Sequence, residues 1–121
     1  MSKIRGAILG LVVAFAMTWA LPALAHQSRA AATVSVTAGK PAEFHFTLSA
    51  MSVKHGSVTF NVSNKGKLAH DFWINGKKTP LIQPGKSASL TVSFAKAGSF
   101  PYKCTVPGHA AAGMKGTLKV T

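Results

Sequence analysis

The sequence contains one cysteine and two acidic residues among 121 residues. Because there is no second cysteine and no C-x-x-C motif, an intramolecular disulfide and a thiol-disulfide enzyme are both excluded. The acidic residues, Glu43 and Asp71, stand against 14 lysines and arginines, which gives a formal charge of +12. No nucleic-acid recognition motif accompanies this charge, so nucleic acid is not an expected partner. The charge is expected either to solvate the surface or to attract acidic proteins and anionic lipid.

The sequence also lacks an apolar run long enough for a membrane-spanning helix. Its longest run, Ala7 to Leu21, has 15 residues, and a spanning helix needs roughly 20. Two basic residues precede this run and Ala23-Leu24-Ala25 follows it, which is the pattern of a secretory signal peptide. A membrane anchor is the alternative. We therefore expect residues 1–25 to be a cleaved signal peptide, and residues 26–121 to be one soluble domain in the periplasm.

No segment after residue 26 has the apolar period of a helix. Several short segments instead alternate apolar and polar residues, as half-buried strands do. They are TVSV (33–36), EFHFTLS (43–49), SVTFNV (57–62), SLTVSF (89–94) and GTLKV (116–120). Turn signals rich in glycine, proline and asparagine separate them. This pattern predicts an all-β fold, a Greek-key antiparallel β-sandwich of about seven to eight strands.

The single cysteine lies in the segment YKCTVPGHAAAGMKG, residues 102–116. Four residues separate Cys104 from His109, and four more separate His109 from Met114. The alternation places Cys104 at the end of one strand, Met114 at the start of the next, and His109 on the loop between them. A thiolate, an imidazole and a thioether could therefore converge on one point. These donors suit a copper ion that changes between Cu(I) and Cu(II).

A copper centre of this kind needs a second histidine, and the chain has five. His70, in KLAHDFWI, shares an otherwise apolar strand face. A lone histidine in such a place is more often a core residue than a ligand, but the cysteine-containing motif makes His70 the natural fourth ligand. His45 and His55 are expected on the surface. His26 would be the amino terminus after cleavage, where its amine and ring could also chelate copper.

The segments LAHDF and YKCTVPGHAAAGMKG together resemble the type 1 copper proteins, the cupredoxins of the plastocyanin and azurin family. The resemblance extends from about residue 33 to residue 121. It implies an eight-stranded Greek-key sandwich that transfers single electrons through one type 1 copper ion. The implied ligands are His70, Cys104 and His109, with Met114 in the axial position. The interval of four residues after the cysteine is closer to azurin, auracyanin and rusticyanin than to plastocyanins.

Asp71 departs from the family pattern, in which many members have asparagine after the first histidine ligand. We expect its side chain to accept a hydrogen bond from the backbone N–H of Thr105 and so to hold the loop that carries Cys104. An ionised carboxylate there would favour Cu(II) and lower the reduction potential. The alternative is an aspartate on the surface, since Asp71 alternates away from His70.

The residues around His109 predict a surface for redox partners. Pro107, Ala110 and Ala111 are small or apolar and would let a partner approach the exposed edge of the histidine. Lys103 and Lys115 stand at the rim of this surface. We therefore expect a monomer that is not an enzyme and that meets redox proteins, acidic at the contact, in transient complexes.

Other copper and thiol chemistries fit the sequence less well. A binuclear centre needs a second cysteine in the loop, where position 108 is glycine, and a multicopper oxidase or copper nitrite reductase needs further domains. A cysteine hydrolase would leave Met114 unexplained. Copper delivery or storage uses the same ligands and stays open as the alternative to electron transfer. Only Met51 and Met114 remain after cleavage, which favours electron transfer over a methionine-rich delivery site.

Overall fold

The computed structural model describes residues 10–20 and 32–121. The predicted cleavage site and His26 lie outside the described residues, as do parts of the predicted signal peptide, so the division at residue 25 stays a prediction. Residues 10–20 are exposed and contain no helix or strand. In the described part of the chain, no helix is long and apolar enough to cross a membrane.

Nine strands occur in residues 32–121. They are β1 (Ala32–Ala38), β2 (Phe46–Leu48), β3 (Ser52–Val53), β4 (Gly56–Asn64), β5 (Trp73–Ile74), β6 (Lys77–Lys78), β7 (Ser87–Phe94), β8 (Gly98–Lys103) and β9 (Lys115–Val120).

The strands form two sheets, one in the order β2-β1-β4-β7 and the other in the order β3-β9-β8-β5-β6. The predicted fold class, an all-β sandwich, is confirmed. Both sheets are mixed and not antiparallel throughout as predicted, because β1 lies parallel to β4 and β3 lies parallel to β9. Parallel neighbours need a crossover connection, and the segment containing β2 and β3 supplies the one between β1 and β4.

The alternating segments supply the core between the sheets. Val58, Phe60 and Val62 of β4 are buried, and Phe60 lies directly opposite Leu90 of β7. Leu118 of β9, which belongs to the other sheet, is also buried. Burying each such side chain contributes about 1.5–3 kcal/mol. The apolar side chains at every second position of the strands therefore hold the two sheets together.

The segment 43–49 departs from its predicted strand. Only Phe46–Leu48 pairs with β1, and Glu43 and Phe44 lie in a turn before it. The Glu43 carboxylate accepts hydrogen bonds from the backbone N–H groups of Lys67 and Leu68. The strand predicted over residues 43–49 is therefore wrong at Glu43, because the turn directs its side chain towards the loop before His70.

Candidate metal site

Cys104 and Met114 lie at the two ends of one loop, directly after β8 and directly before β9. The Cys104 N–H donates to the Met114 carbonyl at 3.0 Å, and the Met114 N–H donates to the His109 carbonyl at 3.1 Å. The His109 N–H in turn donates to the carbonyl of Val106 at 3.1 Å. These bonds close the loop on itself, so the β8–β9 pairing holds all three residues near one point.

His70 comes from a different part of the chain and is held by a bridge to Ile82. Its N–H donates to the Ile82 carbonyl at 3.1 Å, and the Ile82 N–H donates back at 2.7 Å. The buried amide of Asn64 donates to the carbonyls of Leu68 and Ile82, which ties the segment before His70 to the same bridge. The His70 side chain is fully buried as a result.

The ring nitrogens of the two histidines and the cysteine sulfur converge. His70 Nδ1 lies 3.0 Å from His109 Nδ1, and Cys104 Sγ lies 3.9 Å and 3.6 Å from these two atoms. Three donors bonded to one ion at about 2.0–2.3 Å would be separated by similar distances. Two imidazoles and one thiol are also a donor set that suits copper. The residues present therefore fit a copper ion.

Apolar side chains surround these donors. Met114 is fully buried and packs in one cluster with Cys104 and Ala38, against the partly buried Phe44, Phe46 and Val106. The Phe44 ring also meets the His109 ring edge-on, with centroids 5.0 Å apart. This surrounding excludes water from the sulfur side, while His109 stays half-buried at the surface.

The same burial shifts the acid–base behaviour of two donors. Burial raises the pKa of the Cys104 thiol, although the N–H groups of Asp71 and Val106 act in the opposite direction. Burial, followed by the neighbouring His70, lowers the pKa of His109. Without metal, the thiol therefore keeps its proton at neutral pH and His109 is neutral. Metal binding must then release the thiol proton.

Asp71 is buried beside the cysteine. Its Oδ1 accepts a hydrogen bond from the Thr105 N–H at 2.6 Å, the contact expected from the sequence, and Oδ2 accepts one from the Thr105 hydroxyl. The Asp71 N–H points at Cys104 Sγ, 3.5 Å away. The residue thus joins the two segments that supply His70 and Cys104.

Glu43 is the residue at this site that the sequence did not suggest. Its Oε1 lies 2.8 Å from His70 Nε2, on the side of the ring that faces away from the cysteine. The backbone N–H groups of Lys67 and Leu68, with a smaller effect of His70, lower the pKa of Glu43 to about 2. The sequence carried one signal: Glu43 is one of two acidic residues in a strongly basic chain.

The predicted partner-surface residues fall into two groups. Pro107 and Ala111 are exposed, and Ala110 is half-buried beside His109. Lys103 and Lys115 are exposed and lie directly opposite each other on β8 and β9.

The two lysines continue into a row across the sheet. Trp73 lies opposite both Lys103 and Lys78, and the Lys103 Nζ lies 5.1 Å from the centre of the Trp73 ring. Directly opposite residues share a face of a sheet. We call Lys115, Lys103, Trp73 and Lys78 the lysine row.

The other described histidines are not part of this cluster. His45 and His55 are exposed, as expected, and His55 Nδ1 lies 2.9 Å from the Thr121 carbonyl. Among the described residues, His70, Cys104 and His109 form the group whose donor atoms all lie within 4.8 Å of one another.

Residues 32–121 match the family model described as copper binding proteins, plastocyanin/azurin family. The chain therefore belongs to the plastocyanin/azurin family of copper-binding proteins, the cupredoxins. Its cofactor class is copper, and His70, Cys104, His109 and Met114 are arranged as a type 1 copper site.

Two curated proteins resemble short parts of the chain. The copper-resistant cuproprotein CopI of Pseudomonas aeruginosa is 52% identical over 40 residues, which are 33% of this chain and 22% of that protein. Auracyanin-B of Chloroflexus aurantiacus is 49% identical over 43 residues, 36% of this chain and 18% of that protein. The chain thus covers about a fifth of the length of these relatives.

Solved structures extend the similarity to the whole sandwich. Auracyanin B superposes with a TM-score of 0.63 at 27% identity, covering 75% of this chain and 89% of that one. Rusticyanin from Thiobacillus ferrooxidans gives a TM-score of 0.57 at 27% identity, covering 74% of this chain and 76% of that one. The interval of four residues between Cys104 and His109 predicts a similarity to these two groups.

Proposed function

We propose that this protein carries single electrons between redox partners, and that His70, Cys104, His109 and Met114 would hold the copper ion. One observation carries the proposal. Donor atoms from two separate segments meet within 4.8 Å, and each segment is held by its own backbone hydrogen bonds. Copper bound there would supply exchange of one electron between Cu(I) and Cu(II).

The chain's own part in this function is to keep the donors in place. The Ile82 bridge holds His70, and the closed loop holds Cys104, His109 and Met114. Packed interiors resist deformation, so the ligands need to move little when the oxidation state changes. A site built in this way favours fast electron exchange over substrate chemistry, and we propose a carrier and not an enzyme.

Electrons would pass through His109, the half-buried member of the cluster. The small and apolar residues Pro107, Ala110 and Ala111 next to it let a partner come close. Both acidic side chains of the protein are engaged at the metal site. The charged side chains left to meet a partner are therefore basic, and we propose a partner that is acidic at the contact. The lysine row begins one residue before Cys104 and one residue after Met114, so its positive charge lies beside the ligand loop.

The partner surface can be tested with hexacyanoferrate(III), a small anionic oxidant, and the reduced copper protein. The oxidation rate should fall as salt rises, because salt screens the attraction between exposed charges. K103Q/K115Q should weaken this dependence, whereas K54Q/K96Q, which removes two exposed charges at the other end of β8 and β9, should change it less. Equal effects of the two double variants would assign the attraction to the overall charge and remove the role proposed for the row.

Copper resistance by delivery or storage is the second candidate function, because one relative is named a copper-resistant cuproprotein. The two functions differ in how firmly copper is held and how fast electrons move. A carrier should keep copper in both oxidation states in the presence of a chelator and show reversible voltammetry. Ready loss of copper in either state would favour delivery.

The ligand set itself is tested by adding Cu(II) to purified protein that begins at residue 26. We expect an intense thiolate-to-copper absorption band and a narrow copper hyperfine splitting, both absent in Cys104→Ala. A band that survives in that variant would contradict the proposal.

Export to the periplasm as a soluble monomer is proposed on the signal-peptide pattern, and amino-terminal sequencing of the exported protein would test cleavage after Ala25.

A further inference from the structure

The Glu43 carboxylate receives hydrogen bonds from three directions. The Lys67 N–H donates to Oε2 at 2.9 Å, the Leu68 N–H donates to Oε1 at 2.9 Å, and His70 Nε2 lies 2.8 Å from Oε1. The His70 side chain is 1% exposed, whereas that of Glu43 is 26% exposed. The buried imidazole is thus in direct contact with a negative charge at the edge of the protein.

The backbone at Gly66 leaves room for this carboxylate. A Cβ atom at Gly66 would lie 2.6 Å from Glu43 Oε1, so a side chain at position 66 would displace it. Asn64 Oδ1 accepts a hydrogen bond from the Gly66 N–H at 2.9 Å, which fixes the backbone at that position. The turn between β1 and β2 can therefore reach the segment that leads into His70.

An ionised carboxylate can only accept hydrogen bonds. The hydrogen bond to Glu43 therefore requires a proton on His70 Nε2, and Nδ1 is the ring nitrogen that faces His109 and Cys104. Hydrogen bonds of this kind to the far nitrogen of a metal-binding histidine set its tautomer and its ring orientation. The carboxylate also places negative charge beside the ring, which stabilises the more highly charged oxidation state of a bound metal.

We propose that Glu43 is a positioning residue that holds His70 in the metal-binding tautomer before metal arrives and biases the site towards Cu(II). The proposal rests on the ligand role proposed for His70. It goes beyond that role, because it assigns part of the site's affinity and potential to a residue on the β1–β2 turn.

The first test uses the copper-free protein, so it does not depend on metal binding. In nitrogen-15 NMR spectra, His70 should show a protected N–H on Nε2 and a bare Nδ1. Glu43→Ala should remove the protection of that N–H. Glu43→Gln is the matched control, because its amide oxygen can still accept a hydrogen bond from Nε2, and it should leave the signal in place. An equally protected N–H in Glu43→Ala would overturn the proposal.

The second test measures the charge effect with Glu43→Gln, whose amide oxygen can still accept the His70 hydrogen bond. Loss of the negative charge beside the ring should weaken the binding of Cu(II) more than that of Cu(I). The potential should then rise by about 59 mV for each tenfold loss of Cu(II) affinity relative to Cu(I) affinity. An unchanged potential would refute the bias towards Cu(II). If wild-type protein showed no thiolate-to-copper band, the ligand assignment would fail, while the NMR test would still decide the role of Glu43.

Discussion

Replacing Asp71 with alanine should destabilise the copper-free protein, because it removes the link between the two ligand segments. Asp71 is 6% exposed and accepts hydrogen bonds from both the N–H and the hydroxyl of Thr105. After the change, the Thr105 N–H loses its partner next to the buried Cys104. Alanine offers no acceptor in its place, so the cost includes the desolvation of that N–H.

The magnitude follows from these two bonds. A hydrogen bond to a charged group contributes about 1.5–3 kcal/mol. Thr105 is half-buried, so water can partly replace the bond to its hydroxyl, and we expect a total loss of about 3 kcal/mol. For a domain of this size, each kcal/mol lowers Tm by about 4–8 °C, which gives a decrease of about 12–24 °C. Asp71→Asn keeps one acceptor oxygen for the N–H and should cost about 1 kcal/mol.

The free energy of unfolding would be measured by urea titration of the copper-free wild type and variants. The m-value should stay constant, since the same surface is exposed on unfolding. A double-mutant cycle with Thr105→Val isolates the contact between the two side chains. Ser63→Ala, which removes an exposed hydroxyl pair with Ser87, should cost less than about 0.5 kcal/mol. A loss of under about 1 kcal/mol in Asp71→Ala would refute the reasoning.

Three further predictions concern the core and the buried ligand. Gly116→Ala should cost about 1–3 kcal/mol of unfolding free energy, because its Cβ would run into the Tyr102 hydroxyl and ring; Gly98→Ala, whose Cβ would make only ordinary contact with Phe100, should cost much less. Burial raises the pKa of Tyr102 above its usual 10, so the unfolded chain loses this proton first and stability should fall as pH rises above 10. In a Cys104→Ala background, which removes the titration of the thiol, Tyr102→Phe should reduce this fall in stability. The unfolding free energy would be measured by urea titration at several pH values, and an equal dependence on pH with and without Tyr102→Phe would contradict this. Met114→Leu should change the unfolding free energy of the copper-free protein by less than about 1.5 kcal/mol, yet shift the potential of the copper protein in voltammetry. An unchanged potential would argue against Met114 as a copper ligand.

Much of the fold could be predicted from alternation within single segments. The buried positions of β4, β7 and β9 are those that the period of two selects, because successive side chains of a strand point to opposite faces. The same rule failed at residues 43–45, where the letters alternate but the chain turns. Alternation indicates which side chains could share a face of a strand. It does not indicate whether a neighbouring strand is present to pair with that segment.

The copper ligands could be proposed from residue types and intervals, because an imidazole, a thiol, a second imidazole and a thioether follow one another in the chain and together suit copper. The nearby acidic residues were harder to place. Asp71 adjoins His70 in the chain, and its partner Thr105 adjoins Cys104, so the local motifs pointed to the contact. Glu43 adjoins neither motif and lies 27 residues from His70, so no interval connected the two.

The sequence was sufficient for the sandwich, the donor set and the basic charge, since each depends on residue type and local period. Only the tertiary structure decided that both carboxylates meet at the metal site and that three lysines and Trp73 lie in one row. The physical reason is that these contacts join segments distant in the chain. They depend on which strands become neighbours, and that is settled by packing the two sheets together and not by any single segment.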